Sequence, residues 1–264
     1  MAAFIAGKWT SELSDDIGEY PEGLIIPIDK PYRWTSADAV RKVKWAACRH
    51  FHDKKLKVGH AGTLDPLATG VLLICIGKAT KIADELQRHD KEYVATLQLG
   101  QTTPSFDAET EVDATFPTGH IDLPLIERTL RERFLGRIEQ VPPTFSAIRV
   151  DGKRAYEYAR SGRHDEVELS GRPVDIHSIA VEAFDKAGMT LRLRVECGKG
   201  TYVRALARDI GAALGSGAYL TSLRRTRVGD MTVDDALTME QVEELIMAQR
   251  PAGTPAPRTT ITEE

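Results

Sequence analysis

The sequence predicts an α+β fold, a mixed and largely antiparallel central sheet with flanking helices. Two observations carry that prediction. Residues 174–184 and 189–197 are strand-like runs joined by Asp185-Lys186-Ala187-Gly188, a hairpin signal that makes the two neighbours antiparallel. Further strand-like runs are interspersed with stretches of helical period, and hairpins mixed with helices mark the α+β class.

The elements follow in order. Residues 1–23 are polar and acidic with little periodicity and read as an N-terminal extension. Leu24-Ile25-Ile26-Pro27-Ile28 reads as a strand in which Pro27 implies an edge or a bulge. Asp29-Lys30-Pro31-Tyr32-Arg33-Trp34 is a turn that ends in an N-cap at Thr35 or Ser36. A helix is expected over 37–51, with Val40, Val43 and Ala47 on its apolar side. Val71-Leu72-Leu73-Ile74-Cys75-Ile76 has the apolar, partly β-branched character of a buried strand, and a helix is expected over 79–88. Residues 93–99 alternate as a strand, 101–120 read as a long acidic loop, and 123–135 as a helix closed by Gly136.

A stiff turn and short strand at 142–153 precede a short helix at 154–160 that carries Tyr156 and Tyr158. After the 174–197 hairpin, a helix buries Leu206, Ala207, Ile210 and Leu214. Arg204 and Arg208, four apart, fall on its other face. A strand over 220–226 and a helix near 239–249 follow, then a Pro- and Thr-rich tail from Pro251 with the composition of a disordered segment.

With 264 residues, 42% hydrophobic and 28% charged, the chain has the make-up of a soluble globular protein. No run approaches the roughly 18–20 apolar residues of a membrane span, and no signal layout opens the sequence, so a cytoplasmic protein is expected. Cys48, Cys75 and Cys197 are an odd, widely spaced set with no zinc-type pairing, which fits a reducing compartment. The net charge of −4 by itself argues against a nucleic-acid partner. The charge is unevenly spread, however. Basic runs occur at 41–57 (Arg41, Lys42, Lys44, Arg49, Lys54, Lys55, Lys57), at 192–208 and at Arg224, Arg225 and Arg227, with the acidic residues gathered elsewhere. Such asymmetry suits a protein with one face for a polyanion.

Several signatures are excluded. Gly77-Lys78-Ala79-Thr80 lacks the spacing and adjacent hydroxyl of a P-loop, and Gly198-Lys199-Gly200 lacks the third glycine of a dinucleotide fingerprint. His50 and His52 have no further ligand cluster, and the acidic run at 107–113 has no central glycine for a calcium loop. No metal or cofactor is called for. What stands out is Gly59-His60-Ala61-Gly62-Thr63-Leu64-Asp65-Pro66-Leu67-Ala68-Thr69-Gly70, a tight loop ahead of a buried strand. Pro66 biases Asp65 away from helical geometry and so presents its carboxylate, although an Asx-turn would use the same residues.

That segment resembles the catalytic-aspartate motif of the TruB family of tRNA pseudouridine-55 synthases. The resemblance continues, in family order, through Asp29-Lys30-Pro31 with Thr35-Ser36, Lys91-Glu92-Tyr93, Pro142-Pro143 to Lys153, Gly200-Thr201-Tyr202-Val203-Arg204 and Leu223-Arg224-Arg225. It covers residues 24–229 and implies a pseudouridine synthase fold for that span. It further implies a cofactor-independent isomerase that turns a uridine in the tRNA T-loop into pseudouridine on a flipped-out base. By this resemblance Asp65 is the nucleophile, Arg204 its cationic partner, and Tyr93 stacks on the uracil and assists proton removal from C5. Tyr202 and Leu223 would line the uracil pocket, His60 would contact RNA, and Lys30 and Lys199 would make structural or phosphate contacts.

Family members often carry a PUA-type RNA-binding domain. Residues 230–264 read instead as a short acidic helix and tail, so none is expected there, and the basic residues at 41–57 and near Arg224 would bear the phosphate contacts. The expected partner is the T-arm of tRNA, bound by a monomer. The competing readings are a guide-RNA-dependent synthase of the dyskerin type and a tRNA-folding chaperone.

Overall fold

A computed structural model describes residues 2–145, 149–150, 153–154 and 169–247. The chain divides into two compact units, residues 1–87 with 229–264, and residues 88–228. In chain order the first stretch holds β1 (Phe4–Ile5), β2 (Leu24–Lys30), α1 (Ser36–His50), β3 (Val58–Ala61), β4 (Ala68–Ile76) and α2 (Ala83–Leu86). The middle stretch holds β5 (Lys91–Leu99), β6 (Gln101–Thr102), β7 (Ala114–Thr115), α3 (Leu123–Arg133), β8 (Gly136–Gln140), β9 (Arg149–Val150), β10 (Lys153–Arg154), β11 (Arg172–Asp185), β12 (Thr190–Cys197), α4 (Val203–Ala213) and β13 (Ala218–Val228). β14 (Met231–Thr232) and α5 (Met239–Met247) come last. The class is α+β, as the hairpin and helix pattern implies.

In the first unit β2 lies antiparallel to β4, with Ile26 opposite Ile74 and Lys30 opposite Gly70, and β3 pairs with β4. Ile26, Ile28, Leu72 and Ile74 are fully buried, the outcome of a continuous apolar run rather than an alternating one. Pro27 does sit at an edge: β1 pairs with β2 only at Leu24 and Ile25, and beyond them the Pro27 carbonyl accepts from the Leu237 N–H at 2.9 Å. α1 begins with a capping box in which Thr35 bonds the Asp38 N–H and Asp38 bonds the Thr35 N–H. Its buried side, Ala39, Val43, Ala46 and Ala47, packs on α5.

Two expectations change here. Residues 1–23 are no loose extension: β1 adds a parallel strand to β2, Ala6 and Leu13 are buried, and the Tyr20 ring meets Phe4 and Phe51 edge-on. The helix expected over 79–88 is a 3₁₀ turn over Gly77–Ile82 followed by the single turn of α2. Thr80 donates its hydroxyl to the Gly77 carbonyl, and such back-bonding favours the tighter turn.

In the second unit the strand order is β13, β5, β12, β11, β8, every neighbour antiparallel. β5 alternates cleanly: Lys91, Tyr93, Ala95, Leu97 and Leu99 are buried and the residues between them are not. α4 packs on β13 and β5, and α3 on β11. Three arginines of β12 and β13, within the runs expected to face a polyanion, pair with glutamates across the strands. Arg192 meets Glu182 at 2.8 Å, Arg194 meets both Glu182 and Glu92 at 2.6 Å, and Arg227 meets Glu196 at 2.5 Å. Burial pushes the Glu92 carboxyl upward, but the Thr226 hydroxyl and Arg194 outweigh it and hold the group below its ordinary range.

The predicted helix at 154–160 lies outside the described residues apart from Arg154, which ends β10, and the Pro/Thr tail from Pro251 lies outside them too. Among the described residues no helix is long and apolar enough to cross a membrane.

Candidate active site

Asp65 stands on the loop between β3 and β4, half-buried. The loop is gripped on both sides of it. Before Asp65, the buried Ser36 hydroxyl donates to the Leu64 carbonyl at 3.1 Å and accepts from the Leu64 N–H at 3.0 Å. After it, the Pro66 carbonyl accepts from the Arg33 N–H at 2.8 Å and from Lys30 Nζ at 3.4 Å, while the Asp65 carbonyl accepts from the Ala68 N–H at 3.1 Å. Gly62 supplies the turn into the loop at φ +80°, where a side chain would be strained.

Lys30 is fully buried, and its ammonium also donates to the carbonyls of Trp34 at 2.6 Å and Pro31 at 3.0 Å. The phosphate contact allowed for Lys30 does not fit that position. A lysine with no exposure cannot reach a polymer without breaking the turn it holds, so of the two expected roles the structural one matches its surroundings. His60, at the end of β3, is half-buried.

In the second unit Arg204 opens α4, and its neighbours explain why it is 5% exposed rather than on a solvent face. Its guanidinium donates to the Phe145 carbonyl at 2.8 Å and the Ser105 carbonyl at 3.2 Å, and Nε lies 3.7 Å from the Asp107 carboxylate. Asp107 is itself buried, accepting from the Ser105 hydroxyl at 2.6 Å and the Glu109 N–H at 3.0 Å. Helical spacing groups Arg204 with Arg208 away from the apolar stripe, but the loop after β6 folds over the start of α4 and buries Arg204. Arg208 packs its guanidinium 4.9 Å from the Phe106 ring and donates to the Val141 carbonyl at 2.9 Å.

Tyr202 is the N-cap residue of α4; its N–H donates to the side-chain oxygen of buried Gln140 at 2.8 Å. Tyr93 is buried in β5 with Val195 and Arg225 as its cross-strand neighbours, and Leu223, two residues before Arg225, lies opposite Ala95. Lys91, on the same face as Tyr93, donates to the His89 carbonyl. Burial, with Arg225 adding to it, pulls the Lys91 ammonium down to about 8. Lys199 is exposed on the turn between β12 and α4.

Comparison with known proteins decides the family. The model of the TruB family pseudouridylate synthase N-terminal domain matches residues 49–203, and that of the tRNA pseudouridylate synthase B C-terminal domain matches residues 204–259. The chain belongs to the TruB family.

It is 56% identical over 230 residues to the tRNA pseudouridine synthase B of Phocaeicola vulgatus, covering 87% of this chain and 96% of the relative. To the tRNA pseudouridine synthase B of Bacteroides thetaiotaomicron it is 57% identical over 232 residues, 87% of this chain and 95% of that one. Among solved structures it is similar to one described as a Cbf5-Nop10-Gar1 complex, with a TM-score of 0.63 and 27% identity. That alignment covers 92% of this chain and 63% of that one, so the chain spans less than two thirds of that structural neighbour. This TruB-family chain is a pseudouridine synthase, an isomerase with the pseudouridine synthase fold.

Sequence reasoning passed over three groups that this arrangement depends on. Asp107 was one acid among several in a loop; the clue was its Ser- and Thr-rich neighbourhood, in which the Ser105 hydroxyl donates to the Asp107 carboxylate and the Thr103 hydroxyl to the Asp107 backbone carbonyl. Ser36 reads as an alternative N-cap, and Gln140 falls between the expected helix and the turn from Pro142 with no role read for it. Their partners are 28 and 62 residues away and leave no local trace.

Proposed function

We propose that this enzyme isomerises uridine-55 in the T-loop of tRNA to pseudouridine, with Asp65 as nucleophile. The reading is carried by the loop itself. Leu64 and Pro66 are both fastened through their backbones, so the carboxylate between them is held at a fixed position without being sealed from solvent. Preorganisation of this kind is what a carboxylate nucleophile needs. The names of the relatives that share more than half of their residues with this chain support tRNA as substrate.

The reaction breaks the bond between N1 and C1′, joins C1′ to C5, moves a proton from C5 and returns one to N1, with no net change of composition. Asp65 bonds to the nucleotide while the base is detached and is released at the end. Arg204 is the cationic partner of Asp65. Its planar guanidinium can serve a second carboxylate while its other N–H groups stay on the Ser105 and Phe145 carbonyls. Tyr93 stacks on the flipped uracil and assists loss of the C5 proton, Tyr202 and Leu223 line the base pocket, and His60 and Lys199 contact the RNA. The cytoplasm, where tRNA is modified, is the setting.

One similar structure is described as an H/ACA RNP bound to a substrate RNA, which favours a guide-dependent reading. At 26% identity that likeness weighs less than the 56–57% shared with the tRNA enzymes. Incubating the protein alone with unmodified tRNA and mapping pseudouridine by carbodiimide and primer extension separates the two. A stop at position 55 without guide RNA supports the proposal, and no product with tight tRNA binding overturns it.

A further inference from the structure

In the second unit Arg192, Arg194 and Arg227 are engaged by glutamates. The first unit carries a different kind of positive surface. Along α1, Arg41, Trp45 and Arg49 are four residues apart and form one stripe about 12 Å long. Trp45 is 52% exposed and lies 4.8 Å beneath the Arg49 guanidinium. In the turn before α1, Tyr32 is 53% exposed and lies 5.5 Å from the Arg33 guanidinium. At the turn before α1 and its first turns is an open cavity of about 500 Å³ lined by Arg33, Trp34, Asp38, Arg41 and Lys42.

Three features set this surface apart from an ordinary solvated helix face. Large aromatic rings are left in water, each paired with an arginine, the combination that stacks on bases while holding phosphates. Among the described residues Arg33, Lys44 and Arg49 form no ion pair, and the pairs Arg41 and Lys42 make, to Asp38 and Glu243, are on exposed side chains that a phosphate can displace. Arg33 also holds a left-handed backbone conformation, φ +65°, that favours glycine. The strain is maintained by its N–H bond to the Pro66 carbonyl, one residue after Asp65. A strained arginine beside a functional loop, with its side chain out in solvent, is a position kept for what the side chain touches.

We propose that this cavity and stripe form an RNA-docking subsite, in which a base stacks at Tyr32 and Trp34 and the adjoining phosphates lie on Arg33, Arg41 and Arg49. The occupant is the chain of the substrate RNA outside the target uridine. The proposal rests on the tRNA reading above. Through the Arg33–Pro66 and Ser36–Leu64 bonds, RNA seated here lies against the same turn that carries the nucleophile.

The test compares wild type, R33G, the triple variant R33Q/R41Q/R49Q and the control K186Q, all as full chains. It measures melting temperature, unmodified-tRNA affinity over a salt series, and pseudouridine formation. R33G relieves the backbone strain, so it is expected to melt no lower than wild type while binding tRNA more weakly, which a purely structural Arg33 could not do. The triple variant is expected to lose roughly tenfold or more in affinity, with the slope of log K against log salt shallower by about 0.7–0.9 per lost contact, the loss falling on KM rather than kcat. Wild-type affinity and slope in both variants, while wild type makes pseudouridine, overturn the subsite and leave the functional reading intact. Unchanged RNA binding with an altered oligomeric state reassigns the stripe to protein contact and overturns it equally. Failure of wild type to make pseudouridine is the separate failure of the tRNA reading.

Discussion

Ser36 and Leu64 exchange two hydrogen bonds: the serine hydroxyl donates to the Leu64 carbonyl and receives the Leu64 N–H, at 3.1 and 3.0 Å. One side chain thereby ties the first turn of α1 to the residue before Asp65. Both residues are buried, so water cannot replace either bond. Ser36→Ala is expected to cost about 1–3 kcal/mol by stranding the Leu64 backbone groups. It should also lower kcat by about one to two orders of magnitude through a loosened nucleophile loop. Thermal melting and single-turnover kinetics with tRNA measure the two effects, and an unchanged kcat would show that the clamp serves stability alone.

Arg204 and Asp107 make a second testable pair. Removing only the cation leaves a buried carboxylate, so Arg204→Gln is expected to destabilise the fold by about 3–5 kcal/mol. Asp107→Asn alone should cost less, because the Ser105 hydroxyl and the Glu109 N–H still find an acceptor. The double variant should recover part of the Arg204→Gln loss. Urea unfolding of the four proteins of the cycle gives the coupling directly, and strictly additive changes would refute the pairing.

Lys91 makes stability depend on pH. Its ammonium falls from 10.5 to about 8 in the folded protein, chiefly through burial. Between those values the unfolded chain keeps the proton and the folded one has released it, so the unfolded state binds more protons and stability rises with pH. Below about 8 both states are charged and the full burial penalty applies. The stability difference between wild type and Lys91→Met, followed by denaturant titration, should therefore move in favour of wild type from pH 8 to pH 10. A difference that stays flat across that range would contradict the assignment.

How far the sequence reached depended on whether its signals were local. The alternation of β5 and the hairpin of β11 and β12 are written in neighbouring residues, and both formed where the pattern placed them. Thr35 capped α1 because the capping box is a four-residue device, closed between Thr35 and Asp38. What the pattern could not tell is which charged residues would meet. Arg194 and Glu182 belong to different strands, and only the register brings them together. Arg204 shows the same limit more sharply: its helical position points away from the apolar stripe, yet a loop nearly a hundred residues earlier covers it. The loop around Asp65 was legible as a constrained turn, whereas the grip of Lys30 and Ser36 on it was not, since both reach it from distant positions in the chain.

The central claim is that Asp65 performs the isomerisation. The most direct measurement is single-turnover pseudouridine formation by Asp65→Asn on unmodified tRNA, with binding measured in parallel. The substitution keeps size and turn geometry and removes the charge. Complete loss of turnover with tRNA affinity within a few-fold of wild type is the predicted result. Turnover surviving in Asp65→Asn at a rate comparable to wild type would contradict it.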